Sequence, residues 1–305
     1  MLVCGERIMR RTRRLAAAFA LLTLAGFAQT AQPKPDLLLF HPSGPPLSYE
    51  VATIKPVDPS TADRVVRLPP GATLSPLSIR RYIMDAYDAF YATQVLGGPE
   101  WLNKDAYEIK GKFPDDLEAA YQKMAEADRD AQTRSMQQSL LADRFHLKAH
   151  FETRILPVYA LVPAKGGLKI TAVPAPPESK PGDPPIRVQS GEPLPPGTSM
   201  TTFNSAGLRV LNAHAMKTEW LARIISFSGA TEVGDRPIVD HTGLTGYFDI
   251  KDLTWAPLSA ADATDAPDAP SLIGALEKQL GIKLVPAKDP IEVLVIDSID
   301  RPSPN

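Results

Sequence analysis

The chain has 305 residues, with 33 basic and 35 acidic residues, a formal net charge of −2 and a single cysteine. This length is enough to bury a large core and predicts one large or two small domains. Removing residues 1–28, which hold five Arg and one Glu, leaves 28 basic and 34 acidic residues, a net charge of −6. Nucleic-acid binding rests largely on phosphate neutralisation, so this balance argues against a nucleic-acid partner.

The N-terminus has the pattern of a secretory signal peptide, residues 1–28. Four arginines between Arg10 and Arg14 precede the apolar run Leu15–Phe27, and Gly26 and Ala28 are the small residues of a cleavage site before Gln29. We therefore expect export to the periplasm or the extracellular space; the alternative is an uncleaved signal that anchors the chain in the membrane. The true start is left open between Met1 and Met9.

The only cysteine, Cys4, lies inside the segment that cleavage would remove. The mature chain would then have no cysteine, which excludes disulfide bonds, Cys-ligated zinc and thiol catalysis.

Three proline-rich segments divide the rest of the chain. Their composition predicts that residues 29–47 form an extended tether, that residues 163–197 form a linker, and that residues 256–270 form a surface insertion. The segments between them are a first repeat, 48–162, and a second repeat, 198–305.

The first repeat predicts alternating strands and helices. Ser48–Lys55 alternates apolar and polar residues, as a half-buried strand does. Apolar residues recur at helical spacing at Ile79, Ile83, Ala86 and Tyr87 and again at Met136, Leu140, Leu141 and Phe145. The other predicted strands are Tyr107–Lys110, Leu147–Phe151 and Pro157–Val162.

The second repeat predicts the same order. One helix is capped by Thr218 and ends at Gly229, and another is capped by Ser271 and ends at Gly281. The predicted strands are Leu208–Ala213, Pro237–Asp240, Tyr247–Lys251 and a final hairpin of Ile282–Val285 with Ile291–Ile296.

The two halves align without a gap where Leu141–Leu161 matches Leu276–Ile296, at a constant offset of 135 residues. Each half reads strand–helix–strand–strand–helix–strand–strand. We therefore predict an α+β fold made of two related α/β-sandwich repeats.

Several stretches resemble a large family of secreted proteins from soil bacteria that has no assigned function. They are Tyr49–Pro56, Gly97–Leu102, Leu140–Val162, Gly243–Ile250 and Ile296–Pro302. The resemblance implies an exported domain of unknown function, and in some relatives a connection to a membrane metallopeptidase of the antibiotic-sensing type.

The segment Trp220–Ile299 is also similar to the short N-terminal domain of secretins and TonB-dependent receptors. The likeness is carried by the helix, glycine and strand pair of Leu272–Ile296. It implies a non-catalytic docking domain of the periplasm.

The histidines are the strongest candidates for catalytic chemistry. His146 and His150 could bind zinc with Glu152, but they follow the predicted helix end and share the polar side of a strand. Asp240 and His241 could act as a catalytic pair, but the sequence contains no GxSxG nucleophile elbow, and Asp240 suits a turn.

The aromatic residues offer a binding alternative. Trp101 and Trp255, with Tyr107, could form a platform for a sugar or a peptide, or fill the core.

The leading hypothesis is a non-catalytic module that binds a protein, peptide or cell-envelope component through a sheet edge or a cleft between the repeats. No cofactor is predicted. The alternatives are a hydrolase with a site between the repeats and a sensory domain that acts with a membrane peptidase.

Overall fold

Two long antiparallel strands lie at the centre of an α+β fold. The computed structural model describes residues 37–61, 74–121, 123–178, 180, 186–189, 191–228, 233–256 and 269–302. The strands of the first half are β1 (Val51–Val57), β2 (Leu74–Ser78), β3 (Val95–Gly97), β4 (Ala106–Lys112) and β5 (Lys148–Pro163). Its helices are α1 (Ile79–Ala86), α2 (Trp101–Lys104), α3 (Asp115–Tyr121) and α4 (Glu126–Phe145).

The second half contains a similar set of elements. Its strands are β6 (Thr171–Val173), β7 (Thr198–Phe203), β8 (Arg209–Met216), β9 (Ile238–Asp240), β10 (Tyr247–Trp255) and β11 (Ile282–Ser298). Its helices are α5 (Thr218–Ser228) and α6 (Leu272–Ala275), and α6 continues into a π-helical turn, Leu276–Leu280.

Several predictions fall outside the described residues. These are the signal peptide, the tether up to residue 36, residues 257–268 of the insertion, and Gly229. None of the described helices is long and apolar enough to cross a membrane.

The strands form three sheets. A three-stranded sheet of the first half has the order β1-β4-β2, and a four-stranded sheet of the second half has the order β6-β10-β8-β7. The central sheet has the order β3-β11-β5-β9 and takes strands from both halves. The two halves therefore share one sheet.

The pairing of β5 with β11 corrects the predicted hairpins. Each predicted strand–turn–strand is one continuous strand, and the two strands pair with each other along sixteen residue pairs. The turn prediction came from prolines such as Pro157 and Pro290. Within the described sheet β9 pairs only with Tyr159–Leu161 of β5, and β3 pairs only with Leu294–Ile296 of β11. Pro157 and Pro290 lie outside these pairings, so no third strand of the described sheet needs the backbone N–H group that proline lacks.

The offset of 135 residues recurs in the geometry of the central sheet. Ile155 pairs with Pro290 at the middle of the β5–β11 ladder. The segments of β5 and β11 that pair in parallel with β9 and β3 begin at Tyr159 and Leu294, which are again 135 positions apart. These positions fit the predicted repeat, and the duplication itself stays a prediction.

The first half buries the two helical faces that the sequence predicts. Ser78 caps α1 by accepting the Arg81 N–H at 3.3 Å. Ile83 of α1 and Leu141 and Phe145 of α4 are fully buried and pack in one cluster with the central strands.

The second half packs α5, α6 and the π-helical turn against its own sheet. Leu221 and Ile225 of α5 and Leu276 of the turn belong to one buried cluster. Trp255 lies in the same cluster and is 1% exposed.

The segments predicted as tether and linker differ from that prediction where they are described. Leu39 is buried, and the Glu292 N–H donates to the Leu37 carbonyl, so this part of the tether is docked on the domain. Residues Thr171–Val173 of the linker form β6 and pair with β10.

Both long strands follow a residue in the left-handed conformation. His146 ends α4 with φ 49°, and Gly281 ends the π-helical turn with φ 67°. At Gly281 an added Cβ would lie 2.0 Å from the Gly167 carbonyl oxygen, whereas at Gly207, with φ 72°, it would meet nothing within 4 Å.

We expect Gly281→Ala to lower the free energy of unfolding by roughly 3 kcal/mol or more, because left-handed strain and a steric clash add. Gly207→Ala is the matched control and should cost about 1 kcal/mol from strain alone. His146→Gly should be neutral or stabilising, since it relieves the same strain. Urea unfolding measures all three, and equal losses for the two glycine variants would contradict the packing described for Gly281.

Candidate functional site

His146 and His150 do not share a site. His146 Nδ1 lies 3.2 Å from Asp300 Oδ2, while His150 lies between Asp297 (Nδ1–Oδ2, 3.0 Å) and Glu152 (Nε2–Oε1, 2.9 Å). Among the described residues no group of three or more His, Cys, Asp or Glu is placed to hold a metal ion. His146 thus lies apart from His150 and Glu152, and these three residues do not assemble the zinc site that the sequence left open as an alternative.

The environment of His150 changes its acidity. Its hydrogen bond to Asp297, and then its bond to Glu152, raises the pKa of His150 above the ordinary value. The pKa of Glu152 is lowered by its hydrogen bonds from Arg154 and His150. Both groups lie at the protein surface, so these are solvated ion pairs with a small effect on stability.

Asp240 and His241 point to different partners. Asp240 accepts hydrogen bonds from the Thr218 hydroxyl at the start of α5 and from the Thr242 N–H (2.8 Å) and hydroxyl (2.6 Å). This is the turn that the sequence favoured. His241 Nε2 instead lies 3.5 Å from Asp289 Oδ1 on β11.

Every histidine of the chain lies within 4 Å of a carboxylate that is distant in sequence. Besides the pairs above, His41 contacts Glu292 at 3.0 Å and His214 contacts Asp249 at 2.7 Å. Burial raises the pKa of Asp249, but hydrogen bonds from the Ala215 N–H and His214 outweigh burial, and the pKa is lowered overall. The five histidines are thus spread over five separate contacts with carboxylates.

Trp101 and Trp255 lie in separate surroundings and do not form one binding platform. Trp255 is 1% exposed, which agrees with the core alternative that the sequence left open for it. Trp101 is half-buried, and the Arg301 guanidinium lies 5.1 Å from its ring centroid, held in turn by Asp105 at 2.7 Å. Tyr107 is buried with its ring against Phe145.

A cleft of about 480 Å³ lies between the two halves. One wall comes from α1, α4 and the loop of residues 88–94, which connects α1 to β3. The other wall comes from the end of α5 and the residues that follow it, including Asp235. A second cleft of about 490 Å³ shares Asp88, Phe90, Tyr91 and Arg223 with the first.

Aromatic side chains from both halves meet in the cleft. The Phe90 ring makes edge contacts with Tyr91 at 4.9 Å and with Phe227 at 5.5 Å between centroids. The Arg223 guanidinium lies 5.2 Å from the Phe90 ring, and the Tyr91 hydroxyl is 2.9 Å from the Ser226 hydroxyl. Phe227 is 73% exposed, which is unusual for a large apolar side chain.

The polar wall of the cleft is made of paired charges. Arg81 lies 3.0 Å from Asp85, and Arg134 lies 2.9 Å from Asp88. Gln137 of α4 also lines this wall and is itself buried. The cleft therefore offers aromatic surface together with donors and acceptors fixed in place.

These cleft residues are not among the site residues predicted from the sequence. One signal was available: Phe227 lies off the apolar face of α5 that Leu221, Ile224 and Ile225 define. Phe90 and Tyr91 lie in a loop, and their position next to α5 depends on the pairing of distant strands.

Comparison with known proteins identifies the family. A family model described as a protein of unknown function, DUF3738, matches residues 80–299. The chain belongs to the DUF3738 family. No curated protein and no solved structure matches this DUF3738 chain, so the likenesses to peptidase-linked relatives and to the secretin-type domain stay predictions.

We expect Asp297→Asn to lower the pKa of His150 in this DUF3738 protein, because the carboxylate that stabilises the imidazolium is lost. Because the pKa of His150 is raised in the folded state, its ion pairs stabilise the fold fully below the ordinary histidine pKa of about 6.5. This stabilisation is lost as the pH rises through the folded-state pKa of His150. An NMR titration of the imidazole measures the shift. Asp300→Asn, beside His146, is the control and should leave His150 unchanged; an unchanged pKa in Asp297→Asn would contradict the assignment.

Proposed function

We propose that this protein is an exported binding module without catalytic activity and that it takes a peptide in the cleft between its halves. The observation that carries the proposal is the meeting of Phe90 and Tyr91 with Arg223 and Phe227 across the cleft. Each half supplies part of the lining, so the site exists only in the assembled fold.

The size and chemistry of the cleft favour a peptide. Its volume of about 480 Å³ lies within the range of roughly 300–1,000 Å³ for small-ligand sites. The rings of Phe90 and Phe227 suit an apolar or aromatic side chain, and the guanidinium of Arg223 suits a carbonyl or a terminal carboxylate. The second cleft beside the same loop gives room for a ligand longer than one residue.

The distribution of histidines favours binding over catalysis. General acid–base catalysis needs a base within hydrogen-bond reach of the reacting group in a cleft. None of the histidines lines either of the two described clefts, and each contacts a carboxylate. The hydrolase hypothesis therefore receives no support from the positions of His146, His150 and His241.

Truncation of Phe227 tests the peptide site. Binders would be selected on the full protein from a random seven-residue peptide library, and one enriched peptide would be titrated by calorimetry. We expect Phe227→Ala to weaken binding about tenfold, or about 1.4 kcal/mol, because an exposed aromatic contributes contact area at a low entropy cost. Arg223→Ala should also weaken binding.

The matched control is Phe203→Ala, which removes a second phenylalanine that is 64% exposed but lies on β7, outside the cleft. This variant should bind like the wild type. Equal affinity of the wild type and Phe227→Ala for every enriched peptide would overturn the proposed site.

Export is tested by the N-terminus of the processed protein. In a Gram-negative host we expect the protein in the periplasmic fraction, with a first residue of Gln29 as determined by mass spectrometry. Ala28→Arg should block cleavage, because the position before the cut requires a small side chain, and Gln32→Arg is the control for added charge. A cytoplasmic protein with an intact N-terminus would contradict export.

A further inference from the structure

A buried glutamine lines the cleft between the halves without a partner in the described part of the fold. Gln137 of α4 lines the cleft of about 480 Å³ and is 4% exposed. Its side-chain amide makes no hydrogen bond to any residue that the structure describes. An amide withdrawn from bulk water costs free energy unless a new hydrogen bond replaces the bonds it made to water. This unpaired amide therefore points to a ligand in the cleft.

The glutamines near Gln137 show how the fold itself uses a side-chain amide. Gln94, which is 2% exposed, accepts the Tyr91 N–H at 3.2 Å. Gln138, the next residue of α4, donates to the Ala86 carbonyl at 2.9 Å. Both amides bond the backbone of their own chain, so the contrast with Gln137 comes from its place in the cleft and not from its residue type.

A fourth glutamine shows which chemical group such an amide can recognise. Gln279 Oε1 accepts the Thr254 N–H at 3.1 Å, and Gln279 Nε2 donates to the Thr254 carbonyl at 2.8 Å. One side-chain amide thus bonds both backbone groups of a single residue in β10. The match is general, because an amide carries a donor and an acceptor, and an extended residue presents its N–H and C=O on the same side.

Two other polar side chains on the α4 wall of the cleft already have partners. Arg134 pairs with Asp88 at 2.9 Å, and the Thr133 hydroxyl donates to the Arg129 carbonyl at 2.9 Å. The amide of Gln137 is therefore available to a ligand. A lipid or another hydrocarbon would leave it unpaired, so the ligand must bring a hydrogen-bond donor and an acceptor of its own.

We propose that Gln137 is the residue that selects the peptide backbone: its amide bonds the N–H and C=O of one extended ligand residue, while the rings of Phe90 and Phe227 contact a neighbouring side chain. This inference rests on the proposed peptide site and adds a requirement to it. The ligand residue at Gln137 must have a free N–H, so the site rejects proline or an N-methylated residue at that position.

Removal of single N–H groups from the ligand tests the pairing. One seven-residue peptide selected on the full protein would be prepared with each peptide bond replaced in turn by an ester, which removes the N–H and keeps the shape. Each form would be titrated by calorimetry into the wild type and into Gln137→Leu. We expect one ester to weaken binding to the wild type about tenfold and to have no further effect on Gln137→Leu, as in a double-mutant cycle.

The matched control is Gln132→Leu, the same substitution on the same helix. Gln132 Oε1 is also buried without a hydrogen-bond partner among the described residues, but Gln132 lines a separate cleft of about 280 Å³. This variant should bind the peptide like the wild type and keep the full ester effect. Urea unfolding should find Gln137→Leu at least as stable as the wild type, because the substitution breaks no hydrogen bond within the described fold.

Three results would overturn the inference. The first is a clear loss of stability in Gln137→Leu, which would assign the amide to the fold. The second is an ester effect of equal size in the wild type and Gln137→Leu. The third is binding of N-acetylglucosamine oligomers that Gln137→Leu abolishes, with no effect of any ester, because an acetamido group offers the same donor and acceptor as a peptide bond.

The failure of the proposed function gives a different result. Peptide binding that depends on Phe227 but is unchanged in Gln137→Leu contradicts the role of Gln137 alone. The absence of any enriched peptide contradicts the peptide site and the role of Gln137 together.

Discussion

The antiparallel ladder between β5 and β11 is the interaction on which the rest of the fold depends. It joins residues more than 100 positions apart, from Pro163 with Ile282 to Lys148 with Ser298. Each half also contributes its short strand to the other half's long strand: β3 of the first half pairs with β11, and β9 of the second half pairs with β5. Neither half could therefore complete the central sheet alone.

The local elements were predictable because hydrophobic periodicity is a local signal. The apolar spacing of Met136, Leu140, Leu141 and Phe145 fixes the buried face of α4, and the structure buries all four. The continuous long strands were not predictable in the same way. Their prolines have the local pattern of turns. The prolines are tolerated because no third strand of the described sheet pairs beside them, and that is a tertiary feature.

The candidate site could be predicted only in part for the same reason. The alternation of polar and apolar residues along the strand correctly predicts His150 at the surface. Its partner Asp297 is 147 residues away, so a local pattern could not predict the contact. The cleft residues are harder to predict than His150, because Phe90 and Phe227 come together only when the two halves pair in the shared central sheet. Trp255 shows a different limit: a large aromatic residue at the end of a strand can serve a core as well as a surface, and the sequence does not decide between them. Here Trp255 packs in the core of the second half.

The shared sheet also determines how far the walls of the cleft can move. Two domains on a flexible linker would open and close around a ligand and would lose conformational entropy on closing. Here sixteen residue pairs of β5 and β11 cross between the halves, and the Tyr91–Ser226 hydrogen bond joins the cleft walls directly. The loop between α1 and β3 and the C-terminal part of α5 face each other across this cleft. The fold therefore holds the two cleft walls together. In the proposed peptide site, selectivity would come from Phe90 and Tyr91 of the loop before β3 and from Arg223 and Phe227 of α5.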